Sequence, residues 1–77
     1  MSMDKTAFLA NFADSFDETD PNEILFDTKF RDLDEWSSLI GMTILAMAKV
    51  SYNKSISGEE LKKCVTVEDV YNLIANK

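Results

Sequence analysis

Apolar residues recur at three- to four-residue spacing in several stretches of the chain, and this spacing predicts helices. The stretches cover residues 3–16, 38–52, 57–63 and 67–75. The apolar positions of the first and last helices are Phe8, Leu9, Phe12, Ala13, Phe16, Val67, Val70, Leu73 and Ile74. The pattern predicts an all-α fold, a small four-helix bundle with three longer helices and one short helix.

Hydroxyl side chains mark the expected starts of three helices. Ser57, with Glu60 three residues later, has the sequence of a capping box before the short helix. Thr66 is the expected N-cap of the last helix, which carries two acids in its first turn. Ser37 is the expected N-cap of the second helix, and this places Ser38 at the first helical position.

The second helix is apolar on nearly all sides, so two interpretations of it remain open. Such a helix is either central to the core or keeps one face for a partner. The expected buried face, with Val50 close by, consists of Leu39, Met42, Leu45 and Ala46. The residues that extend the apolar surface beyond a normal stripe are Ile40, Ile44 and Met47.

The segment from Asp17 to Glu35 predicts a long ordered loop with at most one helical turn. It contains Pro21, the proline of the chain, among alternating acids and apolar residues. Its apolar residues are Ile24, Leu25, Phe26, Phe30 and Leu33. These need a place to pack, so we expect the loop to lie across the helices, and a loop this long in a small domain is often functional.

Acidic residues outnumber basic ones, 14 to 8, which gives a net charge of −6. Nine of the 14 acids fall between Asp14 and Glu35, where only Lys29 and Arg31 oppose them. This balance disfavours nucleic acid and anionic membrane surfaces as partners and favours basic protein surfaces. The acidic segment is either a solvated loop that keeps the protein soluble or a surface that steers basic partners.

Several classes of function are disfavoured by the composition. Histidine is absent and Cys64 is the single cysteine, so neither a His-based catalytic site nor a cysteine metal cluster is expected. The acids from Asp14 to Glu23 lack the spacing and central glycine of a calcium loop. The longest apolar stretch, within Leu39–Val50, is too short to span a bilayer, and the N-terminal residues lack the pattern of a signal peptide. We expect one domain over residues 1–77 that is monomeric, cytoplasmic and not an enzyme.

From Phe30 to Ile74 the chain resembles the acyl and peptidyl carrier protein family. Ser38-Leu39 stands at the family's Ser-Leu, Tyr52 at an aromatic near the helix end, and Thr66-Val67 at the Thr-Val that opens the last helix. Further matching segments are Phe30-Arg31-Asp32-Leu33, Met42-Thr43-Ile44-Leu45, Ile56-Ser57 and Gly58-Glu59-Glu60-Leu61. No gap is needed between Ser38 and Ile74.

The resemblance implies a carrier fold and a carrier function. A phosphopantetheinyl transferase would attach 4′-phosphopantetheine from coenzyme A to Ser38. The arm would hold an acyl or aminoacyl group as a thioester and present it to acyl-loading and acyl-processing enzymes. Fatty acid, other lipid, polyketide and nonribosomal peptide pathways all use such carriers, so the cargo stays open. Ser37 is the less favoured attachment site, since Leu39 directly follows Ser38 and we expect it to point into the core.

Two departures from the family pattern affect the expected site. Ser37 replaces the family's aspartate, and residues 38–54 contain no Asp or Glu, with Thr43 at the family's glutamate. We therefore expect partners to use loop acids or apolar residues, and we favour a specialised pathway. The expected partner surface consists of Asp34, Glu35, Trp36, Leu39, Ile40, Gly41 and Met47. Trp36 also fits a hydrophobic staple before the helix cap.

A cargo slot between the second and third helices is a further expectation from the family. Its candidate lining consists of Phe26, Met42, Ala46, Ile56 and Leu61, which an ordinary packed core would explain equally well. The competing hypothesis for the whole chain is an acidic helical interaction module of the same fold that is never modified, and that uses its apolar second helix against a partner groove.

Overall fold

The computed structural model describes residues 4–77, and this part of the chain forms four α-helices and no β-strand. The helices are α1 (Lys5–Ala13), α2 (Ser38–Tyr52), α3 (Gly58–Lys62) and α4 (Val67–Ala75). The prediction of a small all-α fold with three longer helices and one short helix is confirmed. The predicted start of the first helix at residue 3 lies outside the described residues. Within them, α1 begins at Lys5, and the side chain of Asp4 accepts from the amide of Thr6 at 3.0 Å.

The predicted helix starts are confirmed. The hydroxyl of Ser37 accepts from the amide of Ile40 at 3.4 Å, so Ser37 is the N-cap of α2. Ser57 and Glu60 form the capping box of α3, with each side chain accepting from the other residue's amide. Thr66 caps α4 in the same way with Asp69 as its partner. Local capping chemistry therefore sets where these helices begin.

An aromatic core joins α1 to the rest of the chain. Phe8 and Phe12 on α1 are fully buried, as is Phe30 in the connection between α1 and α2. The ring of Phe8 meets Tyr71 of α4 edge-on at 5.3 Å between centroids, and the ring of Phe12 meets Phe30 at 5.6 Å. Edge-on aromatic pairs stabilise a core beyond the area they bury. This packing places α1 against both α4 and α2.

The rotation of α2 differs from the prediction. Its buried residues are Ile40, Gly41, Ile44 and Ala48, not the predicted Leu39, Met42, Leu45 and Ala46. Leu39, Met42 and Val50 are exposed at 72%, 66% and 85%. The expectation that Leu39 points into the core is thus wrong. The side of α2 that faces solvent carries large apolar side chains as well as polar ones, so the sequence pattern does not show which side of the helix is buried.

The long connection packs across the helices as predicted, with two short 3₁₀ turns, Pro21–Glu23 and Phe30–Asp32, in place of one helical turn. Ile24 is fully buried, whereas Leu25 is 54% exposed and does not pack as expected. Backbone carbonyls of Phe26 and Thr28 accept from the first two amides of α4, at 3.0 and 3.2 Å. The middle of the connection is therefore hydrogen-bonded to the start of α4.

Candidate functional site

Ser38 lies at the first position of α2, where its side chain is exposed. Ser37 is occupied as the helix cap, whereas the Ser38 hydroxyl makes no hydrogen bond within the described part of the chain. No oxygen of residues 4–77 accepts from the backbone amides of Ser38 or Leu39. Open amides at the positive end of a 15-residue helix favour a negatively charged group at this place.

Trp36 covers the first turn of α2. A Cβ atom on Gly41 would lie 3.5 Å from the Trp36 ring and 3.7 Å from Leu61. Gly41 is the fourth residue of α2, the position at which a hydrophobic staple needs an apolar side chain, so the predicted staple at Trp36 lacks its partner side chain. The Trp36 ring centroid also lies 5.0 Å from that of Phe30. The segment that leads into Ser38 is thereby fixed against the core.

A groove of about 230 Å³ separates α2 from α3, and Ser38 lies on its wall. The groove is partly open to solvent. Its lining consists of Arg31, Trp36, Ser38, Gly41, Met42, Leu45, Gly58, Leu61 and Lys62. The structure thus brings an exposed hydroxyl and an apolar groove together at one end of α2.

Two of the five predicted slot residues, Met42 and Leu61, line this groove, and the other three do not. Phe26 packs edge-on against Tyr71 of α4, with 5.8 Å between ring centroids. Ala46 faces a different groove, between α1 and α2, because α2 is rotated relative to the prediction. Ile56 is 9% exposed and belongs to the packed core. These three residues therefore lie away from the groove between α2 and α3.

Arg31 lines the groove and is held in place by several contacts. Its guanidinium donates to the backbone carbonyls of Leu61 and Cys64, near the end of α3. The same group lies 5.0 Å from the ring centroid of Phe30 and 5.8 Å from that of Trp36. A cation is stabilised by the carbonyl groups at a helix C-terminus and also by the faces of aromatic rings. No local pattern in the sequence indicates this role of Arg31.

Glu35 ties the start of the long connection to the start of α2. One carboxylate oxygen accepts from the amide of Asp17 at 2.6 Å, and the other accepts from the amides of Glu18 and Thr19 and from the Thr19 hydroxyl. Loss of water contact acts to raise the pKa of Glu35, but the hydrogen bonds from Thr19, Glu18 and Asp17 outweigh it and lower the pKa below its ordinary value. The predicted role of Glu35 as a partner contact remains a prediction.

Only some of the residues predicted to form the partner surface are exposed to solvent. Asp34 and Leu39 are exposed, and Glu35, Trp36 and Met47 are half-buried. Ile40 is 8% exposed and Gly41 is buried, so these two residues do not offer a surface, because α2 turns them toward the core. Met42 and Val50 take their place on the exposed side of α2. Only the rotation of the helix identifies them, and the sequence does not fix that rotation.

The acids of the connection line a separate, wider groove of about 470 Å³. Its lining consists of Glu18, Thr19, Glu23, Asp32, Leu33, Asp34 and Glu35. Among residues 4–77, no three His, Cys, Asp or Glu side chains are arranged to hold a metal ion. Because five of its lining residues are acids, this groove forms a strongly negative surface beside the start of α2.

Cys64 is 6% exposed. Burial raises the pKa of its thiol, the charge of Asp69 raises it further, and the charge of Arg31 opposes these effects. A buried, protonated thiol is a poor nucleophile. Cys64 is therefore unsuited to carry a thioester itself.

Comparison with protein family models, with curated proteins and with solved structures finds no match to this chain. Within the part of the chain that the structure describes, none of the helices has both the length and the apolar character needed to cross a bilayer.

Proposed function

We propose that the protein is an acyl or aminoacyl carrier that holds its cargo on a 4′-phosphopantetheine arm at Ser38. The observation that carries the proposal is the exposed Ser38 hydroxyl at the open start of α2, on the wall of an apolar groove. The order of the elements, with a long first connection and a short third helix, is the order that the family resemblance implies.

The residues around Ser38 fit such an arm. The open amides of Ser38 and Leu39 suit the charge of a phosphodiester on the Ser38 oxygen. The apolar walls of the groove, Met42 and Leu61 among them, suit the organic part of the arm or its cargo. The arm supplies an exposed thiol for a thioester, which the buried Cys64 does not offer.

The attachment is a phosphoryl transfer from coenzyme A. A bond forms between the Ser38 oxygen and the phosphorus next to pantetheine, and the diphosphate bond of coenzyme A breaks. Adenosine 3′,5′-bisphosphate leaves, and the hydroxyl proton passes to a base of the transferase. The chain contributes the hydroxyl and holds it at a fixed helix start.

The partner enzymes meet this protein at the exposed apolar side of α2. Leu39, Met42 and Val50 share that side, and α2 carries no acid. Exposed apolar side chains grouped on one helix are typical of a protein interface. Asp34, just before α2, adds a negative charge at the end of the surface nearest Ser38.

The test is the intact mass of the protein after incubation with coenzyme A, magnesium and a broad-specificity phosphopantetheinyl transferase. We expect a gain of one phosphopantetheine that Ser38→Ala abolishes. Ser37→Asp is the matched control, because it removes the other hydroxyl and keeps a good N-cap. A gain that survives Ser38→Ala but not Ser37→Asp would move the site by one residue. No gain with several transferases, from folded protein, would refute the carrier function.

A thiol reagent gives a second readout of the same reaction. In the folded unmodified protein the buried Cys64 should react slowly, and it should react fast only after unfolding. Modification should add one fast-reacting thiol. Ser38→Ala should remove this fast thiol and leave the slow reaction of Cys64 unchanged.

The second candidate function is an unmodified interaction module, and the exposed apolar side of α2 favours it. Such a module needs this surface but not the Ser38 hydroxyl. Loss of function in cells on Ser38→Ala would favour the carrier, whereas loss only on Leu39→Ser or Val50→Ser would favour the module.

A further inference from the structure

The groove between α2 and α3 is positively charged, although the chain as a whole is acidic. Among residues 4–77, nine line this groove; Arg31 and Lys62 are two of them, and none of the nine is an acid. The whole chain has 14 acids and 8 basic residues. The wide groove at the start of α2 shows the opposite character, with five acids and no basic residue in its lining. The positive charge of the narrower groove is therefore a local feature that the composition does not explain.

The two cations differ in how they are held. Arg31 is fixed by its bonds to the carbonyls of Leu61 and Cys64 and by the faces of two aromatic rings. A guanidinium has five N–H donors and stays protonated, so these two acceptors leave other donors for a further anion. Lys62 is exposed at the end of α3. One cation is thus preorganised, and the other is free to follow a ligand.

The remaining walls of the groove are mostly apolar. Trp36, Met42, Leu45 and Leu61 contribute to them. A ligand that matches this lining has an apolar body and an anionic group. A cavity of about 150 Å³ holds benzene, so a groove of about 230 Å³ has room for a short chain rather than a long one.

Resting on the proposed carrier function, we propose that the groove selects a short acyl cargo whose free end is a carboxylate. The apolar walls pack against the methylene groups, and Arg31 and Lys62 pair with the carboxylate. A cargo that ends in a methyl group would shield these cations from water without pairing with them, which is unfavourable. The phosphodiester of the arm is also an anion, so the test must separate the two sources of charge.

The experiment compares three modified forms of the protein, made with the same transferase from coenzyme A, hexanoyl-coenzyme A and adipoyl-coenzyme A. Each transfer forms the same bond to Ser38 and releases adenosine 3′,5′-bisphosphate. The two acyl groups have the same number of carbons and differ in the terminal group. The rate of thioester cleavage by hydroxylamine is measured for each acyl form and normalised to the same acyl group on free pantetheine.

We expect the adipoyl thioester to be cleaved about two- to five-fold more slowly than the hexanoyl thioester, as one partly exposed ion pair would give. Lys62→Gln should reduce this difference and leave the share that Arg31 contributes. Lys63→Gln is the matched control, because Lys63 is equally exposed but does not line the groove, and it should leave the difference unchanged. Nuclear magnetic resonance should show the Arg31 side-chain N–H signals shifting in the adipoyl form only.

Equal normalised cleavage rates for the two acyl groups would overturn the selectivity. The same Arg31 shifts in the form that carries the arm without cargo would assign the cations to the phosphodiester and also overturn it. Absence of any mass gain on Ser38 would instead refute the carrier function, and the inference would fall with it. The intact mass before cleavage distinguishes this outcome from the others.

Discussion

At the residue scale, Glu35 joins two parts of the chain that are far apart in sequence. Its carboxylate binds three successive backbone amides, those of Asp17, Glu18 and Thr19, just after α1. Successive amides that converge on one anion form a binding concavity for negative charge. The chain fills this concavity with its own carboxylate, two residues before the cap of α2. Glu35 therefore positions the segment that leads to Ser38.

We predict that Glu35→Gln lowers the midpoint of thermal unfolding at pH 7. Glutamine has one acceptor oxygen where glutamate has two, so the amide of Asp17 or the donors on the other oxygen lose their partner. Because the folded pKa of Glu35 lies below its ordinary value of 4.5, its stabilising contribution is complete above that value and is lost as the pH falls through the folded pKa.

The measurement is thermal unfolding of both proteins at several pH values. The difference in midpoint should be constant at neutral pH and shrink below about pH 4.5. Glu23→Gln is the control, since it removes a charge from the same acidic groove without touching these hydrogen bonds. A difference for Glu35→Gln that persists unchanged to about pH 3, or that Glu23→Gln reproduces, would contradict the assigned role.

At the scale of the elements, α2 and α4 differ in whether the first two backbone amides of the helix have hydrogen-bond acceptors. The first two amides of α4 donate to the carbonyls of Thr28 and Phe26, so the connection closes that helix start. The first two amides of α2, on Ser38 and Leu39, have no such acceptor in the described residues. Since unpaired helical amides attract anions, a phosphate is better accommodated at the start of α2 than at the start of α4.

We predict that Gly41→Ala stabilises the protein. Gly41 lies inside α2, where alanine is favoured over glycine by roughly 1 kcal/mol. The added Cβ would lie 3.5 Å from Trp36 and 3.7 Å from Leu61, which is ordinary contact distance. The expected rise in the unfolding midpoint is about 4–8 °C for a domain of this size, measured by circular dichroism.

Gly58→Ala is the control for this effect. Gly58 is the first residue of α3 and has open space around it, so alanine there gains neither interior helix propensity nor packing. Its unfolding midpoint should change much less. A fall in the midpoint on Gly41→Ala would mean that Trp36 and Leu61 do not leave room for the methyl group.

The same two helices show what the sequence predicts well and what it does not. In α4 the predicted apolar face is mostly confirmed: Val67, Val70 and Ile74 are buried and Leu73 is half-buried. Tyr71 is also buried, which the pattern did not predict. In α2 apolar residues lie on several sides of the helix, so several rotations of the helix would bury a similar area. The structure selects the one in which Gly41 lies under Trp36, and this depends on the packing of Phe30 and Trp36 beyond the helix.

In the candidate site, the positions at the start of α2 were predictable from the sequence, whereas the lining of the groove was not. Ser37 as cap and Ser38 as first residue follow from local chemistry, and both placements are confirmed. The lining of the groove depends on the rotation of α2, which turns Ala46 toward a different groove. The place of Arg31 depends on a contact between the connection and the end of α3, more than 25 residues away, which no local pattern reveals.

At the scale of the whole molecule, charge and apolar surface are segregated. The acidic groove lies beside the start of α2, whereas the exposed side of α2 carries large apolar side chains, one cation (Lys49) and no acid. A partner that used only charge would bind the acidic end and depend strongly on salt. A partner that also covers Leu39 and Val50 would keep much of its affinity when salt screens the charges.

We therefore predict that Leu39→Ser and Val50→Ser each lower kcat/KM for modification by the transferase roughly ten-fold at both low and high salt, since burying such a side chain contributes about 1.5–3 kcal/mol. Leu25→Ser and Val65→Ser are matched controls, because these residues are also exposed, at 54% and 51%, but lie elsewhere. Initial rates of modification at low substrate concentration give kcat/KM directly.

Asp34→Asn should act differently and lower kcat/KM only at low salt, because salt screens the charge of Asp34. An equal loss in the control variants, or a loss in the α2 variants that disappears at high salt, would show that partners do not dock on the apolar side of α2.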